Sequence, residues 1–410
     1  MTDLTTSIRQ RIRRSGAPRF DTDALAALWP VYGEPERRAL ERVLASGRWS
    51  RLKDPDWSRG EAGLFEQDFA AHLGVDRALA VSTGTLAIEL GLLALGVRRG
   101  DEVIVQAGTF FGSVTPILRI GARPVFVDLD EDTLTIDPDA VAAAVTPATR
   151  AVIAVHLAGL PADLDRLTAL CDRHGIGLLE DCAQAVGTTW RNRPVGTIGD
   201  VGAFSLQQEK MLQAGEGGVI VCRDPAVADR AFAFHQGFSM PGSPVPDRHE
   251  LAANMRLSSF QAAIAGAQLT RLDEQIARRS ATAELFASLL KPDDPVELTA
   301  SHPGTTRWSP YSLPLRLRPD RPAALTQRLL VDLLADEGLP VFEGHLEPVY
   351  QRPIFLDNEF DYRDTGCPVT ERASREHLVV LQPFLLSPPE WTHRLVELLR
   401  DVRDAVRAES

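Results

Sequence analysis

Lysine is nearly absent from these 410 residues: three stand against forty-one arginines. Arginine neither gives up its proton in a protein nor condenses with an aldehyde, whereas a desolvated lysine amine does both, so a lysine that survives in such a chain invites a chemical reading. Cysteine is also scarce. Cys171, Cys182, Cys222 and Cys367 lie far apart with no C-x-x-C pair, which argues against a zinc site or a disulfide framework and suits reduced thiols in a cytoplasmic protein. No stretch of about 18 apolar residues suggests a membrane span, and the basic N-terminal "SIRQRIRRSGAPRF" has no apolar run behind it to make a secretory signal. A net charge of −12 with dispersed acids argues against nucleic acid or an anionic membrane as partner, and the basic stretch reads as a solvated or subunit-docking arm. G-x-G-x-x-G after the first strand and G-x-x-x-x-G-K-[ST] are both missing, which removes the main support for the two commonest nucleotide-binding readings. Internal repeats and low-complexity tracts are missing too.

What is present is a soluble globular composition, 44% hydrophobic and 24% charged, long enough for two domains. "LFEQDFAAHLG", "TLAIELGLLALGV" and "DLDRLTALCDRHG" have helical periodicity, while "RALAVS", "DEVIVQ", "RPVFVDLD", "AVIAVHL", "IGLLED", "VGAFS" and "GVIVC" are short apolar strands. Strands without polar alternation, separated by helices, predict an α/β fold with a mostly parallel sheet covered on both faces. Residues 236–250, "QGFSMPGSPVPDRHE", read as a long loop, and "LSSFQAAIAGAQLTRLDEQIARRSATAELFASLL" as one long helix ending at "KPDDP". The expected division is an arm over 1–24, a large domain over 25–290 that includes the long helix, and a smaller C-terminal α+β domain over 291–410.

Four segments fall at predicted strand ends, where open α/β sheets bind ligands. In "VSTGTLAIEL" a strand runs through Gly84 and Thr85 into a helix, either an anion cradle or an ordinary threonine cap. In "QAGTFFGSV", Phe110 and Phe111 are either core or the flat wall of a pocket for a planar ring. In "GLLEDCAQAVG", Glu180 and Asp181 end an apolar strand, as a helix cap or as the acid that faces a protonated ring nitrogen. In "GAFSLQQEKMLQAGEGG", Ser205 ends a strand and Lys210 follows five residues later. A phosphate cradle, an aromatic face, an acid for a pyridine nitrogen and an amine for an aldehyde are together what pyridoxal phosphate requires.

With these segments in hand, the sequence resembles the DegT/DnrJ/EryC1/StrS family of aminotransferases over roughly residues 25–400. The resemblance rests on "STGTLAIELGLLALG", "GTFFGSVTPILRIGARPVFVDLD", "VHLAGLPADLDRL", "EDCAQAVGTTWRNRPVGTIGDVGAFSLQQEK", "NMRLSSFQAAIAGAQLTRLD", "HLEPVY" and "CPVTERASREHLVVLQPFLL". It implies the fold of aspartate aminotransferase, fold type I, in a homodimer with shared active sites. Lys210 falls on the family's Schiff-base lysine and Asp181 on the partner of the pyridine nitrogen. Phe110 falls on the aromatic that stacks on the coenzyme, Gln184 beside the ring hydroxyl, and Gly84, Thr85 and Ser205 on phosphate contacts. Asn254 falls on the residue that reaches the neighbouring subunit's phosphate, and His345 resembles a histidine near the substrate. Val186 departs from the pattern, where many relatives carry histidine.

The paired Gln207 and Gln208 resemble the branch that aminates ketocyclitols, with Gln208 as a substrate contact. The resemblance thus implies transfer of the α-amino group of L-glutamine or glutamate to a keto-cyclitol or keto-sugar, in aminocyclitol or amino-sugar natural-product biosynthesis, with pyridoxal 5′-phosphate and pyridoxamine 5′-phosphate as the two coenzyme forms and no metal. Alternatives are a nucleotide-linked keto-sugar aminotransferase, an enzyme of the same fold that aromatises an aminoshikimate-type ring or deoxygenates sugars, and a non-catalytic regulator of that fold.

Overall fold

The computed structural model describes residues 7–9, 11–12, 17–53, 56, 58–236, 251–344 and 346–409. The expected loop over 236–250 lies outside the described residues but for its first position. Fifteen short strands run in chain order among the described residues. Nine lie in the first part of the chain: β1 Ala78–Val81, β2 Glu102–Gln106, β3 Arg123–Val127, β4 Thr149–Val155, β5 Gly177–Asp181, β6 Thr189–Trp190, β7 Arg193–Pro194, β8 Val201–Ser205 and β9 Gly218–Cys222. Six follow: β10 Val296–Leu298, β11 Thr305–Arg307, β12 Leu313–Leu317, β13 Val341–Phe342, β14 Arg363–Asp364 and β15 His377–Val380.

Eight of them form one sheet in the order β1-β9-β8-β5-β4-β2-β3-β14. Every neighbour from β8 to β14 pairs parallel, and β9 alone runs the other way, antiparallel to both β1 and β8. The unbroken apolar runs of these strands follow from burial on both faces. Ile104, Val152 and Ala154 point into the layer made by the helices Glu61–Leu73, Leu164–His174 and Ser259–Leu269, while Val103, Val105, Ala151 and Ile153 point into the layer of Gly84–Ala94 and Pro225–Gln236. Successive residues of a strand face opposite ways, so both sets must be apolar. Gly91 sets the fit of the Gly84–Ala94 helix on the sheet, because a Cβ there would stand 2.8 Å from Leu179 and Val201 side chains.

A C-terminal small domain holds the antiparallel sheet β10-β12-β15-β13, covered by the helices Gln327–Asp336 and Pro389–Glu409. Two expectations are corrected. The long helix is two helices, Ser259–Leu269 and Leu272–Leu289, broken where Arg271 takes φ −113°, ψ 3°. The break lets the first half pack on Glu34–Ser46 and Glu61–Leu73 and the second half on Pro389–Glu409, two directions that one straight rod does not serve. Nor is the N-terminal arm simply solvated. Ile8, Ile12 and Phe20 are buried in the small-domain core, and Arg9 and Arg19 pair with Asp336 and Asp401. The i, i+4 spacing of Ile8 and Ile12 lays both on one helical face, so Arg9 and Arg11 are what remains outside. No helix among the described residues is long and apolar enough to cross a membrane.

Candidate active site

The candidate residues gather where the parallel strands end. Past β1, Thr83 is extended at φ −156°, ψ 158°, and its hydroxyl oxygen accepts from Leu86 N at 3.1 Å. That cap satisfies the third amide of the Gly84–Ala94 helix. The amides of Gly84 and Thr85 have no acceptor inside the helix and carry the positive end of its dipole. A Cβ on Gly84 would lie 2.8 Å from Ser205 Cβ at the end of β8, so glycine is what allows the helix start to press on that strand. The same region meets the turn after β2: a Cβ on Gly112 would lie 2.8 Å from the Phe110 ring and 3.1 Å from Thr85 Oγ1. Phe110 is 43% exposed and its ring centre lies 4.3 Å from that of Phe111, so it is a wall rather than core.

The two carboxylates at the end of β5 part company. Glu180 is fully buried and accepts from the amides of Gly196, Ile198 and Gly199 at 2.7, 2.8 and 2.6 Å, with His156 Nε2 at 3.0 Å. Burial would raise its pKa, but the bonds to His156 and to these amides outweigh it and hold the carboxyl below the usual range. Cys182 Sγ lies close to this pair, yet the Glu180 oxygens are taken and His156 Nδ1 accepts from Ala162 N; Glu180 and His156 fasten the loops around them. Asp181, one residue on, faces the other way. Its Oδ2 accepts from the Ser113 hydroxyl at 2.7 Å and its Oδ1 from Ala183 N at 3.1 Å.

Lys210 sits half-buried in the turn after Ser205, its own amide bonded to Gln207 O at 2.8 Å. Its Nζ lies 4.9 Å from the centre of the Tyr311 ring. Burial pushes its pKa down, Asp181 and Glu209 push it up, and burial prevails. The ammonium therefore loses its proton more readily than a free lysine does, while staying within electrostatic reach of Asp181.

Gln184 is buried beside this group, its Oε1 accepting from Ala158 N at 2.7 Å. Gln208 is exposed and is held by its main chain, N to Gly215 O at 2.9 Å and O from Trp29 Nε1 at 2.8 Å. Asn254 is exposed, its Oδ1 accepting from Arg256 N at 3.4 Å, next to the bridge of Arg256 with Val81. His345 lies outside the described residues. Val186 is buried, and its carbonyl accepts from the Ser309 hydroxyl at 2.8 Å. Sequence reasoning missed Ser113 and Tyr311. Ser113 stood inside the quoted "GTFFGSV" and was legible as a polar residue beside an acid-bearing strand, whereas Tyr311 comes from the small domain and carries no local signal. Between Lys210's turn and the small domain lies a cavity of about 250 Å³, whose polar lining includes Gln184, Glu209, Tyr311, Glu343 and His377 and no arginine or lysine among the described residues.

The sequence profile described as the DegT/DnrJ/EryC1/StrS aminotransferase family matches residues 32–386. A 3-amino-5-hydroxybenzoate synthase of Amycolatopsis mediterranei is 38% identical to this chain over 91% of it and 96% of that protein. An L-glutamine:2-deoxy-scyllo-inosose aminotransferase of Streptoalloteichus tenebrarius is 37% identical over 91% and 94%. The crystal structure of 3-amino-5-hydroxybenzoic acid synthase superposes with TM-score 0.83 at 37% identity, covering 93% of this chain and 98% of that one. DesV of S. venezuelae superposes with TM-score 0.78 at 33% identity, covering 94% and 98%.

Proposed function

The chain belongs to the DegT/DnrJ/EryC1/StrS aminotransferase family, and from that premise we propose that it uses pyridoxal phosphate to move the α-amino group of L-glutamine, or glutamate, to a keto-cyclitol or related keto-sugar. The observation that carries the reading is the amine of Lys210, with lowered proton affinity, over the Tyr311 ring and within the electrostatic reach of Asp181. The surroundings fit the coenzyme: two amides free at a helix N-terminus and the Ser205 hydroxyl suit its phosphate, the Phe110 face suits its ring, and Asp181 suits its nitrogen. When bound, that ring supplies an electron sink for charge developing at the donor's α-carbon. The Asp181 carboxylate keeps the proton on the ring nitrogen. The Lys210 amine would take the proton from the α-carbon and return it, which its lowered pKa favours. Gln184, buried beside this group, would serve the ring hydroxyl.

The cavity speaks for an uncharged polyol. Its lining carries acids and neutral polar groups and, among the described residues, no arginine or lysine, which suits hydroxyl groups better than a diphosphate. The working unit is a homodimer in which Asn254 reaches the phosphate of the neighbouring site; exposed Leu44, Trp49, Leu64 and Phe111 offer the apolar surface for it. A cytoplasmic setting agrees with four free cysteines. A second reading, aromatisation of an aminoshikimate-type ring, is favoured by the likeness to a 3-amino-5-hydroxybenzoate synthase. The discriminating experiment loads the enzyme with amine from glutamine and then offers ketocyclitols, nucleotide-linked ketosugars or the aminoshikimate-type substrate. Rapid return of the spectrum of lysine-bound coenzyme with ketocyclitols is expected; return only with nucleotide sugars, or an aromatic product from the third, would replace the proposal.

A further inference from the structure

Arg279 is fully buried on the helix Leu272–Leu289, yet no carboxylate among the described residues pairs with it. A guanidinium taken out of water without a counter-charge is costly, and a methionine would fill the same space at less cost. What Arg279 does touch is specific. Its guanidinium carbon lies 4.7 Å from the centre of the Trp29 ring, and its Nη1 donates to Gln382 O at 3.3 Å. Trp29 Nε1 donates to Gln208 O at 2.8 Å, and Gln382 Nε2 donates to Glu209 O. The two peptide carbonyls that precede Lys210 are therefore each held by a residue that leans on Arg279. Trp29 comes from the N-terminal segment and Gln382 from the small domain, so three parts of the chain meet behind one turn. A planar guanidinium suits the place because its face stacks on the indole while its edge donates; a lysine ammonium does not do both at once.

We propose that Arg279 is a positioning residue for Lys210: by bracing Trp29 and Gln382 it fixes the Gln208 and Glu209 carbonyls and so keeps the lysine amine in its desolvated place against Tyr311. The proposal rests on the reading of Lys210 as the reactive amine. The charged and titratable groups that face Lys210 are Asp181, Glu209 and Tyr311, and those that act on Arg279 are Tyr311 and Arg278. Loosening the brace lets water reach the amine, and relieving the burial that pushes its pKa down raises the pKa of Lys210.

The test uses the scarcity of lysine. The full-length chain, dialysed free of coenzyme, is acetylated with trace acetic anhydride across a pH series, and modification of Lys53, Lys210 and Lys291 is quantified by mass spectrometry. In the parent chain Lys210 should become reactive at lower pH than the other two. In Arg279→Met its midpoint should rise by about one pH unit, a tenfold loss of free amine at a fixed pH below it, while Lys53 and Lys291 keep theirs. Trp29→Phe, which keeps an aromatic face but removes the donor to Gln208 O, should move it the same way by less, and the double variant should not exceed Arg279→Met. A folded Arg279→Met whose thermal midpoint falls while the Lys210 titration stays put would overturn the proposal by assigning Arg279 to stability alone. Should Arg279→Met not fold, an unmoved Lys210 titration in Trp29→Phe overturns it equally. Failure of the aminotransferase reading is a separate result, seen as no uptake of pyridoxal phosphate by the parent chain, and it leaves the acetylation midpoints readable.

Discussion

The Asp181 carboxylate is held by one hydroxyl and one amide, Ser113 and Ala183, and the hydroxyl can be removed by a single substitution. Ser113→Ala leaves the fold in place but takes away a bond to a charged acceptor, worth about 1.5–3 kcal/mol. Turnover should fall roughly tenfold or more by the same principle, with coenzyme released more readily on dialysis; unchanged kcat and coenzyme retention would show that Asp181 is held well enough without it. At this scale the sequence was legible where chemistry needs a rare residue type. Lys210 stood out because lysine is scarce, and Asp181 because a carboxylate at the end of an apolar strand needs a reason. Strand position alone left Glu180 and Asp181 undivided and only the family resemblance singled out Asp181, since their separation depends on which face of β5 each occupies and on the Gly196–Gly199 loop that closes on one of them. Tyr311 and Arg279 were not legible, because their meaning lies in contacts with residues about 100–250 positions away along the chain.

Among the elements, the helix Gly84–Ala94 is the most exposed to a small change. Its first residue touches the end of β8, and an added methyl at Gly84 would stand 2.8 Å from Ser205 Cβ and 3.2 Å from Ser205 Cα, closer than carbon atoms pack. Gly84→Ala must therefore push the helix start from the strand and spread the Gly84, Thr85 and Ser205 groups. Affinity for pyridoxal phosphate should drop about tenfold or more, as expected when a 1–3 kcal/mol set of charge-assisted bonds is misaligned, and equilibrium dialysis with the coenzyme measures it. Strand and helix positions in this part of the chain were readable from apolar runs and their breaks, because burial on both faces leaves a plain signal. The break at Arg271 was not, since helical periodicity continues across it and only the separate packing partners of the two halves require the turn.

Across the whole molecule, burial sets an acid limit on stability. His235 and His377 are both buried, and burial, with Arg51 and Arg316 nearby, pushes each imidazole down to about 3. The unfolded chain takes up these protons from pH about 6.5 downward and the folded chain does not, so stability is full above that pH and is lost progressively as pH falls toward 3. The thermal midpoint should be level between pH 7 and 8 and already falling by pH 5.5, above the range where carboxylates contribute. His377→Gln should flatten that slope; an equal slope in the variant would move the cause elsewhere. The same architecture brings an N-terminal segment, a parallel sheet and a small domain to one turn, and at that turn stands the lysine on which the functional account depends. The direct measurement is to incubate the full-length protein with pyridoxal phosphate, reduce with borohydride, and map the modified lysine. The account predicts the added mass on Lys210; its appearance only on Lys53 or Lys291, or on none of the three, would contradict it.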